Sequence, residues 1–188
     1  MPDLSVVQAA APLSSNRVAM FVIRTETPGD HGSIRRVNEL AFGRSNEANL
    51  VDALREKAHP HISLAAVLND EVVGHIFFSP VTIESEQEAF AAMGLAPLAV
   101  LPDHQRQGIG SLLVGEGLKE CMRIGHEAVV VLGHAGYYPR FGFTPASSKG
   151  LRSEYDVPDD VFMVTELRPD ALGGRRGLVR YHPEFSKV

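Results

Sequence analysis

The sequence predicts an α/β fold, in which helices pack against a central sheet. Short apolar runs rich in β-branched residues alternate along the chain with segments whose apolar residues recur at helical spacing. An extended run at residues 95–101, a glycine turn, a long amphipathic segment and the apolar run 128–132 then follow in the order strand, helix, strand. With 188 residues and 44% apolar content, the chain is long enough for one domain with a sizeable core.

The N-terminal third of the chain predicts one strand followed by two helices. Residues 20–25 alternate in polarity and end at a Pro-Gly turn, which is typical of a strand. A helical repeat follows and ends at Gly43; its apolar positions are Ile34, Val37, Leu40 and Ala41. A second helix is predicted at about residues 47–58, with its apolar side chains on one face.

The middle of the chain predicts a hairpin and one further strand. Residues 62–68 and 72–79 are apolar runs joined by the turn 69–71, whose Asn and Asp side chains tolerate left-handed backbone. Residues 91–100 form the next strand. Because Pro97 lies inside it and has no N–H to donate, we expect an unpaired or bulged edge there.

A long amphipathic helix is predicted over residues 108–124, ended by Gly125. Ile109 and Leu112 fall outside its apolar arc, which contains Leu113, Val114, Gly117, Leu118, Cys121 and Met122. The uncharged run 128–132 is typical of a strand buried on both faces. Strand, helix and strand form a βαβ unit with parallel strands, whose carboxyl ends should face a ligand.

Two more strands are predicted near the C-terminus, at residues 161–167 and 177–181. The glycine pair at residues 173–174 supplies the turn between them. The predicted sheet therefore continues beyond the βαβ unit.

The glycine loop, Gln105-Arg106-Gln107-Gly108-Ile109-Gly110, predicts an anion site at the start of the long helix. The first N–H groups of a helix have no internal partner and carry partial positive charge, so a diphosphate fits there. Gly108 and Gly110 lack a Cβ and let the backbone approach a phosphate, and Arg106 adds donors. The loop alone is equally compatible with an ordinary turn.

Two motifs in a fixed order carry a family resemblance. Residues 96–110 read APLAVLPxxQxxGIG, and residues 137–143 read YYxRFGF. With these motifs the chain resembles the GNAT superfamily of coenzyme A-dependent N-acetyltransferases, from about residue 20 almost to the C-terminus.

This resemblance implies a twisted mixed sheet of about six or seven strands, with helices on both faces and a V-shaped splay between strands four and five. It implies acetyl-coenzyme A as co-substrate and a primary amine, on a small molecule or a peptide, as acceptor. The residues implied in cofactor binding are Leu98, Ala99 and Val100 for the pantetheine arm, and Gln105, Arg106, Gln107, Gly108, Ile109, Gly110 and Ser111 for the diphosphate.

Tyr138 matches the tyrosine that protonates the departing coenzyme A thiolate in many members of the family. A phenol is protonated at neutral pH and can donate that proton. The alternative is that Tyr137 and Tyr138 form an aromatic packing cluster with Phe141 and Phe143. Tyr137 is interpreted as a packing residue.

The general base is less evident, because residues 91–100 contain no carboxylate where many relatives carry a glutamate. His134 follows the strand 128–132, at the end expected to face the acetyl group, and imidazole titrates near neutrality. His134 is therefore the candidate base, with a loop residue that caps the following helix as the alternative. His75, inside an apolar run, is interpreted as a hydrogen-bonded core histidine.

Composition disfavours several other functions. The net charge is −5, so no broad basic field is available for nucleic acid. No His, Cys and carboxylate cluster has metal-ligand spacing, so no metal site is predicted. Cys121 is the single cysteine, which fits a reducing compartment, and no apolar stretch is long enough to span a membrane.

Residues 1–19 are predicted to be a flexible extension without the features of a secretory signal, and residues 20–188 a single domain. We therefore expect a cytoplasmic protein that does not associate with membranes. Exposed sheet edges make a homodimer reasonable. The acceptor stays open, and the alternative function is a non-catalytic domain that binds acyl-coenzyme A.

Overall fold

The computed structural model describes residues 7–11, 19–86 and 88–187 as a sheet covered by helices. The strands are β1 (Val7–Ala11), β2 (Ala19–Thr25), β3 (Ile62–Leu68), β4 (Glu71–Glu84), β5 (Ala89–Val100), β6 (Ala128–Leu132), β7 (Thr144–Pro145), β8 (Leu151–Ser153), β9 (Phe162–Glu166) and β10 (Gly177–Arg180). The α-helices are α1 (His31–Phe42), α2 (Asn46–Lys57) and α3 (Ile109–Arg123).

The sheet confirms the predicted α/β class and the mixed pairing. Its strand order is β1-β2-β3-β4-β5-β6-β9-β7, and β10 joins β4 to β8. The pairs β5–β6 and β8–β10 are parallel, whereas the other pairs are antiparallel. The described residues form ten strands rather than six or seven, and the additional strands are β1, β7 and β8. β7 and β8 have only two and three residues, which is too short to show a periodicity in the sequence.

The segment predicted as an N-terminal extension contains the first strand of this sheet. β1 pairs antiparallel with β2, from Val7 opposite Ile23 to Ala11 opposite Ala19. Residues 1–6 and 12–18 lie outside the described residues, so flexibility of the extension stays a prediction.

The turn between β3 and β4 has the predicted left-handed backbone. Asn69 and Asp70 have φ angles of 49° and 65°. Two consecutive residues with positive φ match the right-handed twist of the flanking strands. The hairpin prediction is confirmed.

Helices cover both faces of the sheet. Adjacent side chains of a strand point to opposite faces, so consecutive apolar residues make both faces apolar. On β4, the fully buried Phe77 packs in the cluster that includes α1 and α2. Its neighbour Phe78 is equally buried, but packs in the cluster that includes α3. A third cluster, formed around β6, β9 and β10, covers the C-terminal part of the sheet.

Two predictions about the faces of α3 are wrong. Ile109, placed outside the apolar arc of α3, is only 1% exposed. Ile109 packs over Gly74 of β4. A Cβ added at Gly74 would lie 3.0 Å from Ile109 Cγ2, so the absence of a side chain at Gly74 leaves space for Ile109. Met122, placed on that arc, is 44% exposed. Successive residues of a helix are rotated by about 100°, so Met122 lies outside the buried face that its neighbour Cys121 shares with Leu113 and Val114.

On α1, Leu40 is 48% exposed and Asn38 is buried in its place. The reason is a hydrogen-bonded chain centred on the fully buried His75. Asn38 Nδ2 lies 3.1 Å from His75 Nδ1, and His75 Nε2 lies 2.9 Å from Ser63 Oγ. Ser63 donates to Glu26 Oε2 at 2.5 Å, and Arg55 Nε donates to Glu26 Oε1 at 2.7 Å. His75 is thus a core histidine with both ring nitrogens bonded.

Among the described helices, none combines the length and the apolar content needed to cross a membrane.

Candidate functional site

The cleft forms where β5 and β6 separate. The two strands are paired from Met93 opposite Val129 to Leu95 opposite Val131, and β5 then continues to Val100 beside β4 alone. The β4–β5 register shifts between Ile76 and Phe78, opposite the Ala96-Pro97 step, which confirms the bulge predicted at Pro97. A cleft of about 1080 Å³ lies at this splay.

Ten of the twelve predicted site residues line this cleft. They are Leu98, Val100, Gln105, Arg106, Gly108, Ile109, Gly110, Ser111, His134 and Tyr138. The two others do not line it. Ala99 is buried against α1 and α2 and pairs with His75, and Gln107 donates from Nε2 to the carbonyl of Asp103 at 3.0 Å.

Side chains and backbone together fix the glycine loop. Gln105 Nε2 donates to the carbonyl of Val100 at 3.1 Å and so ties the loop to the open edge of β5. Arg106 and Gly108 have positive φ angles of 60° and 87°. The conformation at Gly108 carries no penalty for glycine, but would strain a residue with a side chain. These contacts turn the chain from β5 directly into α3.

The start of α3 directs backbone donors into the cleft. The first bond of the helical pattern runs from Leu112 N to the carbonyl of Gly108, at 3.1 Å. The preceding amides, including those of Gly110 and Ser111, therefore have no partner within the helix. Because both residues line the cleft and Arg106 is exposed beside them, the arrangement can hold an anion.

Tyr137 also approaches the start of α3. A Cβ added at Gly110 would lie 2.8 Å from the Tyr137 hydroxyl, so the missing side chain creates this approach. The Arg140 guanidinium lies over the Tyr137 ring, 4.6 Å from its centroid. Tyr137, interpreted as packing from the sequence, thus brings a hydroxyl and a cation to the start of α3.

Tyr138 is buried at the wall of the cleft. Its ring meets Phe143 edge-on at 5.6 Å between centroids. Gly133 allows the Tyr138 ring to pack directly against the backbone, since a Cβ at position 133 would lie 2.2 Å from Tyr138 Cε2. Burial raises the pKa of Tyr138, and the neighbouring Tyr137 adds to the effect. The phenol is therefore protonated at neutral pH and packs in the aromatic cluster at the same time.

His134 occupies the turn after β6. Its carbonyl accepts hydrogen bonds from Tyr137 N at 2.9 Å and from Tyr138 N at 3.5 Å, so it begins the turn that carries the tyrosines. The residue is exposed and lines the cleft. The side chain expected to act as a base and the backbone expected to shape the turn therefore belong to the same residue.

Other residues of the cleft lining were not among the predicted site residues. Among them are Phe42, Arg44, Glu47, Leu50, Leu132, Tyr155, Tyr181 and Phe185. They come from α1, α2 and the linker between them, from β6, from the loop after β8 and from the C-terminal segment, so no local spacing connects them. Glu47 is the one carboxylate among the described residues that line the cleft. Burial alone would raise the pKa of Glu47, but hydrogen bonds from Arg44 lower it on balance.

The described residues contain no group of three or more His, Cys, Asp or Glu side chains arranged to hold a metal ion.

Comparison with known proteins identifies relatives over most of the chain. Residues 22–146 match the model of the acetyltransferase (GNAT) domain family. The N-acetyltransferase YjhQ of Escherichia coli (strain K12) is 41% identical over 143 residues, which cover 74% of this chain and 79% of YjhQ.

Two solved structures are also similar. The GNAT family N-acetyltransferase YhbS from Escherichia coli, in complex with coenzyme A, superimposes with a TM-score of 0.84 at 36% identity, covering 93% of this chain and 96% of that one. A GNAT family acetyltransferase from Brucella melitensis, in complex with acetyl-coenzyme A, gives 0.72 at 37% identity, covering 88% and 97%.

Proposed function

The chain belongs to the GNAT family of acetyltransferases, and on that premise we propose that it transfers the acetyl group of acetyl-coenzyme A directly to a primary amine. The observation that supports this most is the convergence of three features on one cleft. The splayed edge of β5, the free amides at the start of α3 and the protonated Tyr138 all line it. The related proteins from Escherichia coli and Brucella melitensis were solved with coenzyme A and acetyl-coenzyme A.

In this proposal the carrier lies along the open edge of β5. Leu101 N donates to the carbonyl of Val73 on β4, so the backbone groups of Val100 and Leu98 point to the opposite, open edge. The N–H of Val100 and the backbone groups of Leu98 can pair with the amides of the pantetheine arm as an added strand would, while the Val100 carbonyl already accepts from Gln105. The amides at Gly110 and Ser111 receive the diphosphate, with Arg106 beside them.

The chemistry needs one attack and two proton transfers. The amine nitrogen forms a bond to the thioester carbonyl carbon, and the carbon–sulfur bond then breaks. Tyr138 gives its phenolic proton to the departing thiolate, and His134 takes the proton that the amine loses. Glu47 is a weaker candidate for the base, because both of its oxygens already accept from Arg44 Nε, at 3.1 Å.

Binding of the carrier tests the first half of the proposal. The double variant Gly108→Val with Gly110→Val should raise the Kd for acetyl-coenzyme A at least tenfold, measured by isothermal titration. Gly115→Ala is the matched control, because it lies on the same helix and its added Cβ meets nothing within 4 Å. Unchanged affinity in a folded double variant would place the carrier elsewhere.

Turnover tests the second half. Release of the coenzyme A thiol over a panel of primary amines should exceed hydrolysis without amine. Tight binding of acetyl-coenzyme A without release for any amine would instead support the non-catalytic binding domain.

A further inference from the structure

Tyr137 reaches across the splay to the start of α3. The glycine loop follows β5, whereas Tyr137 follows β6, in the turn that His134 begins. A Cβ added at Gly110 would lie 2.8 Å from the Tyr137 hydroxyl, and both residues line the cleft. A side chain that belongs to β6 therefore meets the first turn of the helix that belongs to β5.

The Tyr137 hydroxyl is available to a ligand. It makes no hydrogen bond with the residues that the structure describes, and it is not among their enclosed polar atoms. The side chain as a whole is half-buried, so its ring is packed while its polar end stays open to the cleft. A phenol hydroxyl has one proton to donate. Nothing in the described part of the chain accepts this proton.

The neighbouring side chains hold the Tyr137 ring in place. The Arg140 guanidinium lies over the ring, 4.6 Å from its centroid, and Arg140 Nε donates to the Tyr137 carbonyl at 2.9 Å. The Phe141 ring lies 5.4 Å from the Tyr137 ring between centroids. A ring that is already fixed loses little rotational freedom when its hydroxyl binds a ligand.

The charges beside this hydroxyl favour an anion. Arg140 is exposed and has no carboxylate partner among the described residues, so its charge is free to meet a ligand. Glu47 is the one carboxylate among the described residues of the lining, and Arg44 already neutralises it. Arg106 adds a second unpaired cation to the same cleft. In acetyl-coenzyme A the phosphates are the groups that carry negative charge.

We propose that Tyr137 is a phosphate-binding residue of the carrier site. Its hydroxyl donates a hydrogen bond to an oxygen of the diphosphate at the start of α3, and Arg140 positions the ring and balances phosphate charge. The diphosphate is then held from the β5 side and from the β6 side of the splay. This inference rests on the proposed acetyl transfer and adds two residues to its carrier site.

Substitution of each of the two adjacent tyrosines by phenylalanine tests the role of the hydroxyl. Tyr137→Phe keeps the ring beneath Arg140 and should raise the Kd for acetyl-coenzyme A at least threefold, measured by isothermal titration. Tyr138→Phe is the matched control, because it removes the hydroxyl of the next residue and should change this Kd less than twofold. The Tyr137 hydroxyl has no partner in the described part of the chain, so its removal leaves the fold intact.

Truncated carriers show which group the hydroxyl meets. S-acetylpantetheine has the same thioester and arm but no phosphate, so Tyr137→Phe should change its Kd less than twofold, measured by NMR titration. Acetyl-dephospho-coenzyme A lacks only the 3′-phosphate and should lose affinity as much as acetyl-coenzyme A does. Equal losses for acetyl-coenzyme A and S-acetylpantetheine would show that the hydroxyl only shapes the cleft, and would overturn the proposal.

Arg140 has a separate test through the salt dependence of binding. Arg140→Gln should raise the Kd for acetyl-coenzyme A at least threefold, and the affinity that remains should fall less with ionic strength than in the wild type. Arg140→Lys keeps the charge and should keep the salt dependence. An unchanged salt dependence in Arg140→Gln would contradict the role of Arg140 in balancing phosphate charge.

The outcomes separate this inference from the function on which it rests. An unchanged Kd in Tyr137→Phe, together with the expected loss in the double variant of Gly108 and Gly110, would overturn the role of Tyr137 and leave the carrier at the start of α3. Unchanged affinity in both would instead defeat the proposed carrier site.

Discussion

At the residue scale, Tyr138 shows how packing and chemistry are combined in one side chain. Its ring fills the space left by Gly133 and contacts Phe143, which fixes its position at the cleft. The same burial raises its pKa and keeps the phenol protonated. The two interpretations of this tyrosine, packing residue and proton donor, therefore do not exclude each other.

Removing the hydroxyl of Tyr138 separates its role in packing from its role as a proton donor. Tyr138→Phe keeps the ring and should lower kcat by about 10²-fold or more, since general acid catalysis contributes at least that factor in most enzymes. The Kd for acetyl-coenzyme A should change less than twofold. Both are measured by steady-state kinetics and titration; an unchanged kcat would leave Tyr138 with packing alone.

His134 has an equally direct test. His134→Gln keeps the backbone carbonyl that starts the tyrosine turn, but removes the imidazole. We expect kcat at neutral pH to fall by about 10²-fold, with acetyl-coenzyme A affinity preserved. If kcat is maintained, the residue serves the turn and the base lies elsewhere.

At the scale of the elements, different glycines of α3 serve the cleft and the packing of the helix on the sheet. Its first turn presents amides to the cleft, and its middle packs closely on β4. A Cβ at Gly117 would lie 2.3 Å from Cε2 of the fully buried Phe78, whereas a Cβ at Gly115 meets nothing within 4 Å. One helix therefore offers a matched pair of glycines.

This pair predicts opposite changes in stability. Gly117→Ala should lower the free energy of unfolding by roughly 1–3 kcal/mol, because the Phe78 ring must move in a packed core. Gly115→Ala should raise it by about 0.5–1 kcal/mol, the usual gain from alanine in a helix. Urea unfolding measures both; destabilisation of equal size would contradict the assigned packing of α3.

At the scale of the whole molecule, the chain of hydrogen bonds around His75 joins elements that are distant in sequence. It links Asn38 on α1, Ser63 on β3, Glu26 after β2 and Arg55 on α2 to one ring. Burial lowers the pKa of His75 to about 3, and Arg55 adds to this against the opposing charge of Glu26. The ring is therefore neutral in the folded protein.

A neutral buried histidine makes stability depend on pH. The unfolded chain binds a proton at His75 below pH 6.5, and the folded chain does not until about pH 3. The contribution of His75 to the free energy of unfolding is therefore fully present above pH 6.5. As the pH drops below 6.5, the free energy of unfolding decreases by up to about 1.4 kcal/mol per pH unit. Between pH 7 and pH 5 the wild type should lose about 2 kcal/mol more than His75→Gln.

Urea unfolding at the two pH values measures this difference, and His59→Gln is the control because His59 is exposed. An identical pH dependence in wild type and His75→Gln would contradict the assignment.

The predicted homodimer and cytoplasmic location are also properties of the whole molecule, and they stay predictions.

Local patterns were sufficient for most of the elements and for the loop that begins α3. The hairpin turn at Asn69 and Asp70, the bulge at Pro97 and the loop with Gly108 each follow from the conformational needs of single residues. Such needs are local, so a sequence displays them directly. Helix faces were less predictable, because Asn38 is drawn into the core by a partner 37 residues away.

The sequence by itself determined the order of the elements, the family and the loop that presents amides at the start of α3, because each depends on neighbouring residues. Only the tertiary structure decided which other side chains line the cleft. Phe42, Glu47, Tyr181 and Phe185 come from separate segments that meet when the sheet forms. The physical reason is that a compartment between elements is made by long-range packing, and no spacing along the chain encodes it.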